Sequence, residues 1–285
     1  KMKAAAFDYV KPKALSDALS LLKQGGDDAR LIAGGQTLLA TLNMRLSEPS
    51  VLIDITDVQE LKGISVVGDR LRIGALVTHT EIEDSELVAK HVPLLRAAAP
   101  HIAHRAIRNL GTWGGSLAYG DPAAEWPACS LALQATMVIH GPVGERKISA
   151  KDFFIDLYTT ALEPDEILVA TEIPLATSNQ VFYFHELARR HGDYAVAGLA
   201  AVAQKDGNVL SNCAFTFFSV SSTPVMATAA QDLVNGKALN AEVIAGAVNA
   251  ARNEIDAIAD ITNSAEAKRH LIGVLLERGI KHLVA

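Results

Sequence analysis

Apolar side chains first recur at helical spacing just after Pro12, where Leu15, Leu19 and Leu22 stand at i, i+4 and i+7 ahead of Gly25-Gly26. That spacing predicts an amphipathic helix with a glycine stop. Arg30-Leu31-Ile32-Ala33 then reads as a short strand running into Gly34-Gly35. Thr37 to Met44 reads as a helix, and Val51-Leu52-Ile53-Asp54-Ile55 as a buried strand. Together these elements predict a small α/β lobe over about residues 1–57.

From Leu61 the period shortens to two. Ile64 to Val67, Gly68-Asp69 and Arg70 to Gly74 predict a hairpin with strict alternation in its second arm. Helical patterns follow around 79–86 and 92–107, punctuated by Pro93 and Pro100. A second glycine cluster, Gly111-Thr112-Trp113-Gly114-Gly115-Ser116, precedes a helix over about 123–134, a strand at Met137 to His140 and a closing strand at Glu166 to Ile173. These elements predict a second lobe over 58–176. The polar stretch Ala176-Thr177-Ser178-Asn179-Gln180 is the linker candidate. Beyond it, from 177 to 285, three antiparallel strands (181–187, 198–204 and 209–220) and three helices (224–235, 240–253 and 264–283) predict a C-terminal α+β domain.

Composition narrows the function more than the fold. The 285 residues are 49% hydrophobic and 20% charged, as in an ordinary globular protein of two domains. A net charge of −6, with Lys and Arg scattered, argues against nucleic acid as a partner. The N-terminal Lys1-Met2-Lys3-Ala4-Ala5-Ala6-Phe7-Asp8 is too briefly apolar for a signal peptide, and no run approaches a spanning helix of ~18 residues. Cys129 and Cys213 have no paired spacing and are expected as buried thiols in a reducing, cytoplasmic compartment. The histidines show no metal-ligand spacing; His101 and His104 stand three apart without a third ligand.

The two glycine segments are the candidates for chemistry. Consecutive glycines let main-chain N–H groups turn inward and let a ligand approach without a Cβ in the way, as a pyrophosphate requires. They also simply make tight turns, and either reading fits the residues alone. Neither segment follows G-x-G-x-x-G or G-x-x-x-x-G-K-[ST], so dinucleotide and P-loop readings have no motif behind them. No G-x-S-x-G nucleophile elbow is present either.

Four motifs in order carry a resemblance over essentially the whole chain. They are Ala33-Gly34-Gly35-Gln36-Thr37-Leu38-Leu39, Ile107 to Ala118 around the second glycine cluster, Asp121-Pro122-Ala123-Ala124-Glu125, and Arg189-Arg190-His191-Gly192-Asp193-Tyr194-Ala195. With these the chain resembles the FAD-binding medium subunits of molybdenum hydroxylases, the group of carbon monoxide dehydrogenase, quinoline oxidoreductase and xanthine dehydrogenase. The resemblance implies an α+β fold: a two-lobed FAD-binding domain of the vanillyl-alcohol-oxidase-like (PCMH) type over 1–176, then a C-terminal domain with a three-stranded antiparallel sheet.

By the same resemblance, Ile32 to Leu38 and Gly111 to Ser116 would hold the pyrophosphate and ribityl chain. Glu125 stands where relatives often carry an Asp that contacts the sugar-alcohol region. Asp121 is either a second such acid or a helix N-cap. Ile102 and Leu168 either line the flavin or belong to the core. Asp193 and Tyr194 fall in the fourth motif, with Tyr194 either beside the isoalloxazine or a strand-end tyrosine. Relatives commonly carry Lys near His185 or Glu186, so either His185 substitutes for it or the flavin is tuned differently. Trp113 replaces a small aliphatic residue and is expected to stack on the flavin or restrict access to it.

Two cysteines cannot ligate a [2Fe–2S] cluster, which takes four protein ligands. The resemblance therefore implies that a small iron–sulfur subunit and a large molybdopterin subunit are partners, in an (LMS)2 assembly, with no catalytic base or metal on this chain. The rivals are a self-contained FAD oxidoreductase of the same superfold and a cofactor-free structural subunit.

Overall fold

The computed structural model describes residues 3–285, so the first two residues of the N-terminal segment lie outside it. The small lobe is a parallel three-stranded sheet of order β1-β3-β2: β1 is Asp8–Val10, β2 Ala29–Ile32 and β3 Val51–Asp54. Helix α1 (Leu15–Gly25) buries Ala18 and Leu22 against it, and Gly26 with φ +52° ends the helix. Helix α2 (Leu38–Asn43) follows the first glycine segment. β1 has only three residues, too few to register as a period in the sequence.

The large lobe is an antiparallel sheet of order β4-β5-β10-β6-β7. The hairpin β4 (Ile64–Val67) and β5 (Arg70–Gly74) forms as the alternation predicts, turning at Gly68 with φ +61°. The helical pattern over 79–86 breaks at Ser85 into α3 (His79–Asp84) and α4 (Glu86–His91); Thr78 closes a capping box with Glu81, and Ser85 caps α4. The expected helix over 92–107 is not continuous. Pro93 starts α5 (Pro93–Ala98), Pro100 sits in a 3-10 turn at Ala99–His101, and α6 (Arg105–Arg108) begins only after His104. His101 and His104 therefore do not share a helix.

The second glycine cluster, read as a loop, opens helix α7 (Trp113–Tyr119), which leads into α8 (Glu125–Ala132). β6 (Thr136–Gly141) pairs with β7 (Gly144–Ser149), an edge strand that the sequence reading missed. Helix α9 (Ala150–Phe153) and the ribbon β8 (Phe154–Asp156) with β9 (Thr159–Thr160) lead to the central strand β10 (Ile167–Pro174).

β11 (Gln180–Ala188), β12 (Ala195–Asp206) and β13 (Val209–Phe218) form the antiparallel meander expected. A fourth strand, β14 (Val225–Met226), extends the sheet beyond the three-stranded expectation and shortens the next helix to α10 (Thr228–Val234). Helices α11 (Ala241–Glu254) and α12 (Ala265–Val284) match their sequence patterns. Strand alternation gives this sheet two buried faces. Leu199, Ala201, Phe215 and Phe217 face α10 to α12. Ala200, Val202, Ala214 and Phe218 join the large lobe's own core with α5 and α8. That second face packs β11 against α5.

Candidate cofactor site

The two lobes and the loop between β11 and β12 border a cavity of about 850 Å3, within the range of roughly 300–1,000 Å3 usual for small-molecule sites. Ala33, Gly34, Gly35, Gln36, Thr37 and Leu38 form one wall. Gly35 has φ +68°, a left-handed conformation that a Cβ disfavours. A Cβ on Gly34 would collide with the Leu110 carbonyl and lie 2.9 Å from Gly111 Cα, so the two glycine segments touch through bare backbone. Among the described residues, nothing accepts a hydrogen bond from the N–H groups of Gly34, Gly35, Gln36, Thr37 or Leu38. Five successive donors left free at a cavity wall suit an anionic, oxygen-rich ligand.

Gly111, Thr112, Gly114, Gly115 and Ser116 form the facing wall, but apart from Thr112 their backbone donors are spent. Gly111 N donates to Ile107 O, Gly114 N to Ala75 O and Ser116 N to Thr112 O, while Thr112 Oγ1 accepts from Gly115 N at 3.1 Å. These glycines serve close packing. A Cβ on Gly114 would lie 2.7 Å from Ala75 Cα, and one on Gly111 2.7 Å from His79 Nε2. His79 is buried behind this segment: its N–H donates to Gly111 O at 3.0 Å and its Nδ1 accepts from Trp126 Nε1 at 2.9 Å. Burial, and then the nearby Arg108 charge, push its pKa down to about 4.

Trp113 does not reach the cavity. Its indole is fully buried, donates through Nε1 to Thr171 Oγ1 at 2.9 Å and packs on Trp126. The expectation that it stacks on or screens the flavin is corrected: the alternation of α7 sends it into the core while Gly115 and Ser116 face the opening. Ile32 likewise stays outside, its Cδ1 packed beneath Gly35. Ile102 and Leu168 are core residues that also form cavity wall.

Asp121, Glu125, Asp193 and Tyr194 close the far end. Asp121 Oδ1 accepts from Ala123 N at 2.9 Å in an Asx turn; Ala124, not Asp121, is the N-cap of α8. Asp193 and Tyr194 sit in the loop after β11, where Gly192 with φ +79° packs against Ala103 and His104. Tyr119 and Tyr158, whose ring centroids are 5.2 Å apart, also line this end. Their separation in the chain gave no sequence clue. Burial raises the Asp121 carboxyl, and burial together with Glu186's charge raises Glu125 to about 8.

His185 is the second correction. It alternates onto the other face of β11, beside Tyr183 and α12, with its pKa lowered first by burial and then by His101 and Arg278. Glu186, its neighbour, takes the opposite face, with its Oε1 3.7 Å from His101 Nδ1. Among the described residues no group of His, Cys, Asp or Glu is placed to hold a metal ion, and both cysteines are free and buried.

Comparison with known proteins decides the family. Residues 5–176 match the family described as "FAD binding domain in molybdopterin dehydrogenase", and residues 182–283 the "CO dehydrogenase flavoprotein C-terminal domain". This chain belongs to the FAD-binding medium subunits of the molybdenum hydroxylases. It is 39% identical over 279 residues to the nicotine 6-hydroxylase medium subunit of Paenarthrobacter nicotinovorans, covering 98% of each. It is also similar to the carbon monoxide dehydrogenase structure from Hydrogenophaga pseudoflava (TM-score 0.97, 35% identity, 99% and 98% covered). The quinoline 2-oxidoreductase structure from Pseudomonas putida 86 superposes at a TM-score of 0.93 with 38% identity, covering 99% and 98%. The chain is thus an FAD-carrying oxidoreductase subunit with the two-lobed domain and C-terminal domain that the resemblance implied. The bare Gly34-Gly35 wall and its free N–H row fit a pyrophosphate; the acids and phenols opposite fit hydroxyls.

Proposed function

We propose that this subunit takes electrons from an iron–sulfur partner subunit and passes them through FAD to an external acceptor, while a molybdopterin subunit oxidises the organic substrate. The observation that carries this is the cavity itself: five free backbone donors on one wall and a bare glycine contact between the lobes. The flavin supplies the redox chemistry when bound; this chain's residues hold and orient it and exclude water. In this reading Gly34 to Leu38 donate to the pyrophosphate. The Gly111–Ser116 turn shapes the opposite wall, and Asp121, Glu125, Asp193 and Tyr194 lie toward the sugar-alcohol chain and ring. Ile102 and Leu168 supply apolar contact. The chain divides at residue 176 into its FAD-binding and C-terminal domains.

The assembly proposed is a twofold (LMS)2 complex in the cytoplasm. Relatives named for nicotine, caffeine, quinoline and xanthine make an N-heterocycle or an aldehyde the favoured substrate class. No described helix is long and apolar enough to cross a membrane. The test is to purify the chain alone and in its native complex. Alone, it should bind about one FAD and turn over no alcohol or N-heterocycle, whereas the complex should bring down an iron–sulfur and a molybdopterin chain. Turnover by the isolated chain would favour a self-contained flavoenzyme. A folded chain that refuses FAD would favour a structural subunit.

A further inference from the structure

Ser219 follows β13 with φ +62°, a left-handed conformation that is costly for a residue with a Cβ. Such a conformation persists where its surroundings over-determine it. Each polar group of Ser219 is taken by a different segment of the chain. Its N–H donates to Pro122 O at 2.7 Å, its hydroxyl donates to Ala195 O, and its carbonyl accepts from Lys268 Nζ at 2.7 Å. The first two segments carry cavity wall: Asp121 and Ala123 flank Pro122, and Tyr194 precedes Ala195. The third is the first turn of α12, outside the lining.

A lysine is rarely buried unless it is paired. Lys268 is 5% exposed, and its ammonium lies between Ser219 O and Asp260 Oδ2, the latter 3.0 Å away. Asp260 is itself held in place, its Oδ1 accepting from Thr262 N and Asn263 N at 2.8 Å each. The same loop is fastened to the end of β13 a second time, where Ile258 N donates to Val220 O at 2.8 Å. A hydrogen bond from a charged donor is stronger than a neutral one, and here it opposes the strain of a single left-handed residue. Released from Lys268, the Ser219 backbone is free to relax, which would swing its N–H away from Pro122 and its hydroxyl away from Ala195.

We propose that Lys268 is a positioning residue for the cofactor. By clamping Ser219 in its left-handed conformation it ties the Pro122 turn to Ala195, and so sets the spacing of Asp121 and Tyr194 at the far end of the cavity. The effect on the cofactor rests on the proposed placement of the flavin end of FAD there; the clamp does not.

The clamp is tested first on the full chain without FAD. The Ala123 N–H donates to Asp121 Oδ1 at 2.9 Å and the Ala124 N–H to Asp121 O at 3.1 Å, so their hydrogen exchange reports the order of the Pro122 turn. Lys268→Met keeps an unbranched apolar stem and removes the donor. Exchange at Ala123 and Ala124 should then speed up about tenfold, while Gly114 and Ser116 exchange as in wild type. Asp260→Asn, on a loop outside the cavity, removes the charge partner and should shift the same two amides the same way by less. It decides the matter if Lys268→Met does not fold. Unchanged exchange at Ala123 and Ala124 overturns the clamp, and so does equal speeding at Gly114 and Ser116, which would reduce Lys268 to general stability.

The cofactor half is read by titrating wild type and variants with FAD and with ADP, which carries the pyrophosphate but no ribityl chain or ring. In Lys268→Met, FAD should bind about fivefold more weakly and the visible circular dichroism of the bound flavin should change, with ADP affinity unchanged. Equal weakening of both ligands overturns the positioning role. Turn exchange that speeds while FAD affinity and dichroism stay fixed overturns the cofactor half alone. A wild-type chain that binds FAD but not ADP would instead overturn the pyrophosphate wall, with the exchange result still deciding the clamp.

Discussion

Gly34-Gly35 follows a strand and remains irregular backbone, whereas Gly114-Gly115 lies inside the first turn of a capped helix. On the first wall the N–H groups from Gly34 to Leu38 are free; on the second those of Gly111, Gly114, Gly115 and Ser116 are consumed by Ile107, Ala75 and Thr112. One Gly-Gly pair presents donors to a ligand. The other removes side chains so that a helix can lie close to β5 and the turn after it, where Ala75 N donates to Val169 O of β10. The same dipeptide thus does two jobs, and what distinguishes them is where the neighbouring hydrogen bonds go.

If this contrast is right, the largest effect belongs to Gly34→Val. Its Cβ meets the backbone of Leu110 and Gly111, which cannot swing aside as a side chain could. FAD affinity, read by fluorescence titration, should fall at least ~100-fold, about 3 kcal/mol. Wild-type affinity in this variant would mean that the lobes do not close on each other here.

Acid should break the second wall selectively. His79 is held neutral with its pKa lowered from 6.5 to about 4, so the stability it provides is full above about 6.5 and lost as pH falls through about 4. Over that window the loss is about 3 kcal/mol, visible as a falling thermal midpoint of the FAD-free chain. His79→Gln keeps an acceptor for Trp126 Nε1 and should flatten this acid component. An unchanged acid slope in that variant would remove His79 from the account.

The smallest effect is expected at Gly115→Ala. Its Cβ would meet only the Thr112 hydroxyl, at 2.7 Å, before opening toward Ala33. Losing the cap costs about 1 kcal/mol of stability, measurable by denaturant titration, with FAD affinity reduced only a few-fold. A loss as large as that of Gly34→Val would mean that the second wall contacts the ligand as intimately as the first.

Long-period elements were legible from the chain: α1, α11 and α12 repeat their apolar positions over several turns, and the hairpins β4–β5 and β12–β13 are marked by Gly-containing turns. β7 was not, because Glu145, Arg146 and Lys147 crowd an exposed edge where no apolar alternation is required. α7 was hidden by its glycines, which are poor helix formers; only Thr112 announced its start. At the site, the glycine segments and the acids after them could be read, since such residues stand out against a core-forming pattern. Side-chain direction could not. Trp113 and His185 were placed at the flavin by motif position, yet helix rotation turns one into the core and strand parity turns the other toward α12. Tyr119 and Tyr158 meet only because β9 folds back beside α7.

Phe184 and Phe218 stack with ring centroids 5.8 Å apart, and Phe218 fills the space that Gly198 leaves without a side chain. These rings belong to the same buried cluster as Trp113, Trp126, Leu95 and Leu168. The polar run near residue 177 is therefore a seam in the sequence but not in the energetics. The C-terminal sheet is the roof over α5 and α8, and lifting it would wet the helix that begins at Glu125. Packing across that seam ties the stability of the C-terminal sheet to that of the helix that carries Glu125.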